Sequence, residues 1–501
     1  MNQNLLVRHP FLIFIPLSVF LFWGLAIVIS DSLPVFLWTD VLVYILVLAI
    51  CAFTISSSKK EHLRDPWRQV VRHKLGMMSL VILLVYVFIG LLDSVHFRLA
   101  LDEEKQTAGQ ETVYQSEVLS VLDILVTPLR NQEETTYSAP FATHSFAKET
   151  IEKPDGSRSR EHPRLDYGGS HLQDPEKDKF ADIINNGLWG LLCGLLIWTV
   201  LLMLILAIVK RQHQSSFSES CKIVFKDGSG VPWRVILTTL ALMCLLLGLA
   251  ILLAPKYHIL GTDKVGQDVF YQSLKSIRTG LVIGTLSTLI MLPFAVMLGI
   301  MAGYFKGWVD DVIQYLYTTL NSIPSVLLIA AVVLMIQVYM ANNPEMFETD
   351  AERADARLFF LCVILGITSW TGLCRLLRGE SLKLSAVDYV QAAQAFGVSK
   401  FTILWRHIQP NIMHIVLIAI VLDFSGLVLA EAVLSYVGVG VDPTMNSWGN
   451  LINGARLEMA REPMVWWSLL AAFIFMFVLV LAANLFSDAV RDAFDPRIRK
   501  Q

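Results

Sequence analysis

The sequence predicts an all-α polytopic membrane protein, and three observations carry that prediction. Hydrophobic residues make up 54% of the 501 residues and the mean hydropathy is +0.56, which is more apolar than an average soluble domain. Apolar runs of about 20 residues, the length with which a helix crosses a bilayer, recur along the chain. Several of the short loops between them are rich in Lys and Arg, as cytoplasmic loops are.

Ten apolar runs are long enough to span a bilayer. They are Phe11–Ile29, Phe36–Thr54, Trp67–Val95, Gly187–Val209, Val235–Ala254, Leu281–Tyr304, Val312–Tyr339, Leu358–Leu377, Ile412–Gly438 and Val465–Phe486. The loop at 58–74 is dense in Lys and Arg, which places it in the cytoplasm. With ten spans, we therefore expect both termini in the cytoplasm. Gly190 and Gly194 offer a small-residue face for close helix packing.

Residues 97–186 differ from the rest because they are polar and acid-rich. Alternation of the spans places this insert outside the cytoplasm. We expect one amphipathic helix at Val118–Leu129 and mostly loop or disorder over Thr135–Gln173. Ser145, His144 and Asp166 stand in no setting that resembles a hydrolase site, so we expect no catalytic residues here.

Composition and motifs exclude several classes of function. The net charge of −3 and the lack of a large basic patch argue against a nucleic-acid partner. The six cysteines lack the spacing of zinc ligands, so no metal site is expected. The chain has no G-x-x-x-x-G-K-[ST] loop, so any ATP that drives this protein is hydrolysed by another chain.

Residues 388–411, DYVQAAQAFGVSKFTILWRHIQPN, form a polar stretch between two apolar runs. We expect a helix over Tyr389–Phe396, a stop at Gly397 with positive φ, and an N-cap at Ser399. A second helix, Lys400–Ile408, would be closed by Pro410. Such a helix–turn–helix knob at the membrane edge must lie in water and is suited to docking on a partner.

The knob resembles the EAA loop of permease subunits of ABC importers. Gln391-Ala392-Ala393, Gly397 and Pro410 stand at the family's spacing, and RHIQPN at the end is similar to the R-H-I-L-P-N of the dipeptide/oligopeptide branch. Gln391 replaces the common Glu, and Gln409 replaces Leu.

Four further segments resemble the same family, in the family's order. They are HILGTDKVGQDV from His258, AGYFKGWVD from Ala302, DPTMNSWGN from Asp442 and DAVRDAFDPR from Asp488. Gln267 and Leu451 depart from the usual Arg and Met. Within this region we expect Asp268 to cap an interfacial helix Val269–Ser276 and Pro324 to break a helix.

The resemblance implies a type I importer transmembrane domain with a six-helix core and about four additional transmembrane helices. Five regions follow: 1–76 (an extra hairpin and a basic loop), 77–96 (the first core helix), 97–186 (the acidic periplasmic insert), 187–257 (an extra hairpin) and 258–501 (the core permease domain). We expect the additional spans to pack at the periphery of the core.

The resemblance also implies partners and roles. The expected partners are a second, B-type permease subunit, two ABC ATPase subunits, a periplasmic substrate-binding protein and the lipid of a bacterial inner membrane. ATP and Mg would be bound by the ATPases, so this chain needs no cofactor. The residues implied in ATPase coupling are Gln391, Ala392, Ala393, Gly397, Arg406, His407, Pro410 and Asn411.

Asp423 and Glu431 are carboxylates inside the predicted span Ile412–Gly438. A carboxylate at membrane depth costs a few kcal/mol and must face protein or a water-filled path. Either residue is a candidate for the substrate path, or each is hydrogen-bonded to a neighbouring helix. The second interpretation is favoured for Glu431, which lies nearer the outer end.

Other functions remain open at this point. Nickel, glutathione and sugar permeases share these motifs, so a peptide substrate is a weaker inference than the importer class. A secondary transporter would require an internal repeat, which the sequence does not show. A membrane-anchored sensory or assembly protein would act through the insert.

Overall fold

The computed structural model describes residues 32–58, 61–100, 114–152, 158–214, 216–225, 230–347 and 349–494. The chain divides into two compact units. Among the described residues, the first unit comprises 32–35, Val47–Thr279 and Asn446–Ala482. The second comprises Phe36–Leu46, Gly280–Met445 and 483–494.

Eight helices in the described part are long and apolar enough to cross a membrane. They are Lys74–Asp93, Pro175–Arg211, Trp233–Leu253, Val269–Phe305, Ser325–Asn342, Asp350–Ser385, Lys400–Tyr436 and Trp467–Phe494. Each overlaps one predicted span, and the predicted Phe36–Thr54 coincides with the 21-residue helix Trp38–Ser58. Phe11–Ile29 lies outside the described residues, as do residues 495–497 of the closing motif.

The chain before His258 contains eight described helices. They are α1 (Trp38–Ser58), α2 (Glu61–Arg72), α3 (Lys74–Asp93), α4 (Val121–Leu125), α5 (Thr127–Arg130), α6 (Pro175–His213), α7 (Phe217–Phe225) and α8 (Trp233–Leu253). The predicted span Trp67–Val95 is interrupted at His73, whose Nδ1 accepts a hydrogen bond from the backbone N–H of Gly76 at 3.1 Å.

The remaining helices follow in chain order. They are α9 (Val269–Phe305), α10 (Gly307–Ser322), α11 (Ser325–Asn342), α12 (Asp350–Ser369), α13 (Thr371–Ser385), α14 (Asp388–Ala395), α15 (Lys400–Ile403), α16 (Gln409–Tyr436), α17 (Trp448–Glu458) and α18 (Trp467–Phe494). The break between α10 and α11 confirms the prediction for Pro324, which has no backbone N–H to continue the helix.

The predicted separate interfacial helix in this region is wrong, although its predicted N-cap is present. Asp268 does cap a helix, since its Oδ1 accepts the backbone N–H of Tyr271 at 3.0 Å. However, the separate interfacial helix Val269–Ser276 does not exist, because α9 runs unbroken for 37 residues. No proline interrupts the chain between Ser276 and the apolar run, and helix propagation adds a hydrogen bond per residue once a helix has started.

The insert is more ordered than its composition predicts. Val118–Leu129 is not one helix: β3 (Leu119–Ser120) leads into α4, where Ser120 and Asp123 form a reciprocal capping box. Within Thr135–Gln173, predicted as loop or disorder, β4 (Glu149–Glu152) and β5 (Arg158–Glu161) pair antiparallel. Its apolar residues also make contacts, since Tyr137, Leu165 and Leu172 are buried.

A second small sheet lies in the first unit. β1 (Leu33–Val35), β2 (His96–Arg98) and β3 pair antiparallel in that order. The short strands leave the fold helical, as predicted.

Helices α6 and α8 form a hairpin through their glycines, as Gly190 and Gly194 predict. A Cβ at Gly190 would lie 2.9 Å from the carbonyl oxygen of Gly248, and one at Gly194 would lie 2.5 Å from that of Cys244. Any larger residue would push the two backbones apart. The hairpin also packs against α3.

Candidate functional site

The turn and the helix cap of the knob (residues 388–411) form where the sequence predicts them. α14 ends at Ala395, and Gly397 takes a φ of +73°, a conformation that a Cβ disfavours. Ser399 then caps α15, since its Oγ accepts the backbone N–H of Thr402 at 3.3 Å. The predicted turn and N-cap are both confirmed.

The end of the knob differs from the prediction, because Pro410 does not close the second helix. Leu404–Ile408 form a π-helical turn that joins α15 to α16, and the helix continues to Tyr436. The backbone N–H of Gln409 bonds the carbonyl of Leu404, five residues back. A π turn of this kind shifts the hydrogen-bond ladder by one residue, which lets the chain accommodate a proline that has no N–H to donate.

Apolar residues anchor the knob to neighbouring helices of the second unit, to which it belongs. Val390, Ile403 and Ile408 are fully buried in a cluster that also contains Trp370 and Leu377. The Gln394 amide donates to the hydroxyl of Tyr304 at 3.2 Å. Burial of several large apolar side chains holds the knob firmly on the helices beneath it.

A salt bridge braces the same region. The Arg378 guanidinium donates from Nε and Nη2 to the two oxygens of Asp310, at 2.6 and 2.7 Å. This hydrogen bonding holds the pKa of Asp310 below its usual range, although partial burial opposes it. The pair joins α10 to α13. The sequence singled out neither residue for this contact.

The outward face of the knob is aromatic. Phe396, Phe401 and Trp405 are 87%, 66% and 61% exposed, although they lie in an otherwise polar stretch. Large exposed apolar groups that cluster on one element mark interaction sites. Sequence reasoning missed these three residues, and the signal that could have identified them is aromatic side chains on a water-exposed helix pair.

Five of the eight residues implied in coupling fall into two groups. Gln391, Ala392 and Arg406 are exposed on the knob. Ala393 is partly buried against the apolar cluster, and His407 is partly buried with its ring 6.1 Å from that of Tyr389. The first group is free to meet a partner, while the second packs within the knob.

Asn411 serves the knob internally. Its amide nitrogen donates to the Tyr389 hydroxyl at 3.0 Å and to the His407 carbonyl at 2.6 Å. The first bond ties the start of α16 back to α14, and the second joins it to the π-helical turn. Pro410 is exposed beside it.

The two carboxylates of α16 have different surroundings. Glu431 is buried and accepts a hydrogen bond from the Ser435 hydroxyl at 2.7 Å. Asp423 is partly exposed, and no hydrogen bond or ion pair joins it to any residue that the structure describes.

A buried charged cluster lies in the first unit, outside the membrane spans. His258 Nδ1 is 2.7 Å from Asp268 Oδ2, and its Nε2 is 3.2 Å from Glu134 Oε1. Burial opposes the charge on the imidazole, but the two carboxylates outweigh it and raise the pKa of His258 to about 9. Glu134 belongs to the insert and was not predicted to take part.

The described part of the chain thus combines membrane-crossing helices with an anchored helical knob that exposes aromatic side chains, which is the architecture of a membrane-embedded subunit. The model of the family described as "Binding-protein-dependent transport system inner membrane component" matches residues 295–500. The chain belongs to this family: it is a multi-pass inner-membrane protein and the transmembrane permease subunit of an ABC importer. Such a permease works with ATPase subunits and a substrate-binding protein. The resemblance seen in the sequence is confirmed.

Three relatives show how far the similarity extends. The glutathione transport system permease protein GsiD of Pectobacterium atrosepticum is 33% identical over 244 residues, which are 48% of this chain and 73% of that protein. The oligopeptide permease protein OppC of Haemophilus influenzae is 29% identical over 243 residues, 48% of this chain and 71% of that protein. The dipeptide permease protein DppC of Bacillus subtilis is 29% identical over 243 residues, 48% and 70% of the two chains.

Proposed function

We propose that this permease subunit forms half of a translocation path for dipeptides or oligopeptides and that the knob couples the path to the ATPase. Two of the relatives above are named as oligopeptide and dipeptide permeases, which supports the substrate class. Glutathione is the second candidate substrate, because a similar relative is named for its transport. ATP and Mg would be bound and ATP hydrolysed by the separate ATPase chains, so this subunit would carry no catalytic residue.

The observation that carries the coupling role is the exposed aromatic face on a firmly anchored knob. Phe396, Phe401 and Trp405 offer apolar area that an ATPase groove can cover, and large aromatic side chains dominate the energy of such contacts. Gln391, Ala392 and Arg406 lie on the same exposed knob. The small side chain of Ala392 would allow close approach, and Arg406 would reach carboxylates or carbonyls of the ATPase.

The remaining coupling residues act on the shape of the knob. Gly397 sets the turn between α14 and α15, while His407 and Asn411 brace the knob around Tyr389. Ala393 packs on the underlying cluster. Pro410, with the π turn, sets the direction in which α16 leaves the knob.

The assembly that we propose is a heterodimer with a B-type permease, two ABC ATPases and a periplasmic binding protein. Both termini of the chain would lie in the cytoplasm. Asp423 would line the substrate path, whereas the buried Glu431 accepts a hydrogen bond from Ser435, one turn further along α16.

The coupling role is tested with alanine variants of the aromatic face. Phe396→Ala and Trp405→Ala remove exposed side chains, so expression and membrane insertion should stay normal. Co-purification with the ATPase and ATP-driven uptake should fall by about tenfold or more, since hot-spot residues of an interface cost 2 kcal/mol or more on truncation. Phe217→Ala is the matched control, an exposed aromatic residue on α7. Normal ATPase association in both knob variants would show that this face is not the coupling surface.

A further inference from the structure

Asp423 lies near the middle of α16, in the candidate membrane span Lys400–Tyr436. Other polar side chains in this part of the helix make hydrogen bonds within it. The Ser425 hydroxyl donates to the carbonyl of Val421 at 3.4 Å, and Glu431 accepts from Ser435. Asp423 has no hydrogen-bonding or ionic partner among the described residues and keeps part of its surface exposed.

Space is open beside this carboxylate. A Cβ placed on Gly426, one turn along α16, would meet no heavy atom within 4 Å. A carboxylate at membrane depth is costly unless it faces a water-filled path or a positive charge. The position of Asp423 therefore suits a cation that enters from outside the chain.

We propose that Asp423 binds the free ammonium group of the substrate as it passes along the translocation path. This inference rests on the proposed import of peptides. Dipeptides, oligopeptides and glutathione, the substrates in the names of the three relatives, share a free α-amino group. A charge-assisted hydrogen bond between ammonium and carboxylate is roughly twice as strong as a neutral one, and a single such bond holds the substrate weakly enough to release it.

Electrostatics favour this substrate chemistry over anionic solutes. In a partly dehydrated path the attraction between opposite unit charges is several times stronger than in water. A carboxylate without a protein partner repels phosphate or carboxylate groups at the same range. The amino end of a peptide is thus the group that Asp423 selects, while the path must accept the carboxyl end elsewhere.

The test uses the complete transporter, with both permeases, ATPases and binding protein, in ATP-loaded proteoliposomes. The probes are radiolabelled trialanine, glutathione and Ni²⁺. Asp423→Asn keeps the shape of the side chain and removes the charge, so uptake of trialanine or glutathione should fall by about tenfold or more. ATP hydrolysis stimulated by the liganded binding protein should persist. Asp423→Glu should restore at least half of the uptake, and Glu345→Gln, an exposed carboxylate outside the spans, should behave as wild type.

The possible outcomes are distinct. If the wild type takes up trialanine or glutathione and Asp423→Asn takes it up equally well, the role of Asp423 is overturned. Peptide import would still stand. Loss of co-purification with the second permease in Asp423→Asn would also overturn it, because the carboxylate would then pair with that subunit. Wild-type vesicles that take up Ni²⁺ and neither amine would refute peptide import and this inference together.

Discussion

At the scale of single residues, Glu134 gives the clearest example of a role that depends on its neighbours. It is buried, and its carboxylate accepts backbone N–H groups of Asp166, Tyr167 and Gly168 at 2.9, 2.9 and 3.0 Å. His258 supplies the fourth contact. Burial disfavours the charged carboxylate, but these donors outweigh it and lower the pKa of Glu134 to about 2. Glu134 thus joins another part of the insert to His258, which lies in a segment that resembles the family's pattern.

The stability that this cluster contributes should be lost both at high pH, through His258, and at low pH, through Glu134. Folding raises the pKa of His258 from 6.5 to about 9, so its contribution is complete below pH 6.5 and is lost as pH rises through 9. Folding lowers the pKa of Glu134 from 4.5 to about 2, so its contribution is complete above pH 4.5 and is lost as pH falls toward 2. The melting temperature of the purified permease should therefore fall between pH 6.5 and 9.

Glu134→Gln is the variant that isolates this effect. Removing one partner of a buried charge pair costs about 3–5 kcal/mol, so the melting temperature should drop and its fall above pH 6.5 should become shallower. Glu133→Gln, which alters the exposed neighbouring carboxylate, is the control. Identical pH profiles for Glu134→Gln and wild type would contradict the assignment of charge to this cluster.

At the scale of elements, the first turn of α1 makes specific hydrogen bonds to α12. The backbone N–H of Thr39 donates to Asp355 Oδ2 at 3.0 Å, and the Thr39 hydroxyl donates to Oδ1. Both residues are fully buried, and Leu42 packs against the apolar cluster around α12. A carboxylate of α12 thus satisfies a free N–H in the first turn of α1, as an N-cap does. This contact fixes the start of α1 on α12, and the packing of the additional spans at the periphery of the core stays a prediction.

Thr39→Val tests the contact without changing the volume of the side chain much. The variant loses the hydroxyl donor and leaves a buried carboxylate oxygen less satisfied, which costs roughly 1–3 kcal/mol. We expect a lower melting temperature. Thr368→Val is the matched control, because the Thr368 hydroxyl bonds only carbonyls of its own helix. If both variants melt at the same temperature, the bond to Asp355 does not hold α1 in place.

At the scale of the whole molecule, the order of spans implies an orientation in the membrane. Lys210, Arg211 and Arg234 flank the link between α6 and α8, and basic residues in short links stay in the cytoplasm. The insert, one span earlier, then lies on the other side. The inner-membrane location follows from the family, while this orientation is the finer prediction.

Reporter fusions measure the orientation directly. Alkaline phosphatase needs an oxidising compartment to form its disulfides, so it should be active when fused after Ser170 and inactive after Gly230. A fluorescent protein that matures only in the cytoplasm should show the reverse pattern. Activity of one reporter at both positions would exclude the proposed orientation.

Sequence alone determined the features that depend on neighbouring residues. Hydropathy identified the spans because about 20 apolar residues in a row suffice for one. The turn at Gly397 and the cap at Ser399 were predictable because positive φ and N-capping involve only a few adjacent residues. The family motifs likewise lie in continuous segments, so the class of transporter could be inferred before any contact was known.

Only the tertiary structure decided which distant residues meet. Glu134 and His258 are 124 positions apart, and Thr39 and Asp355 are 316 apart, so no local pattern links them. The order within the insert, the exposure of Phe396 and the different surroundings of Asp423 and Glu431 also depend on what packs nearby. Burial and pairing are properties of three-dimensional neighbours, and for that reason composition predicted disorder where long-range hydrogen bonds hold the chain in place.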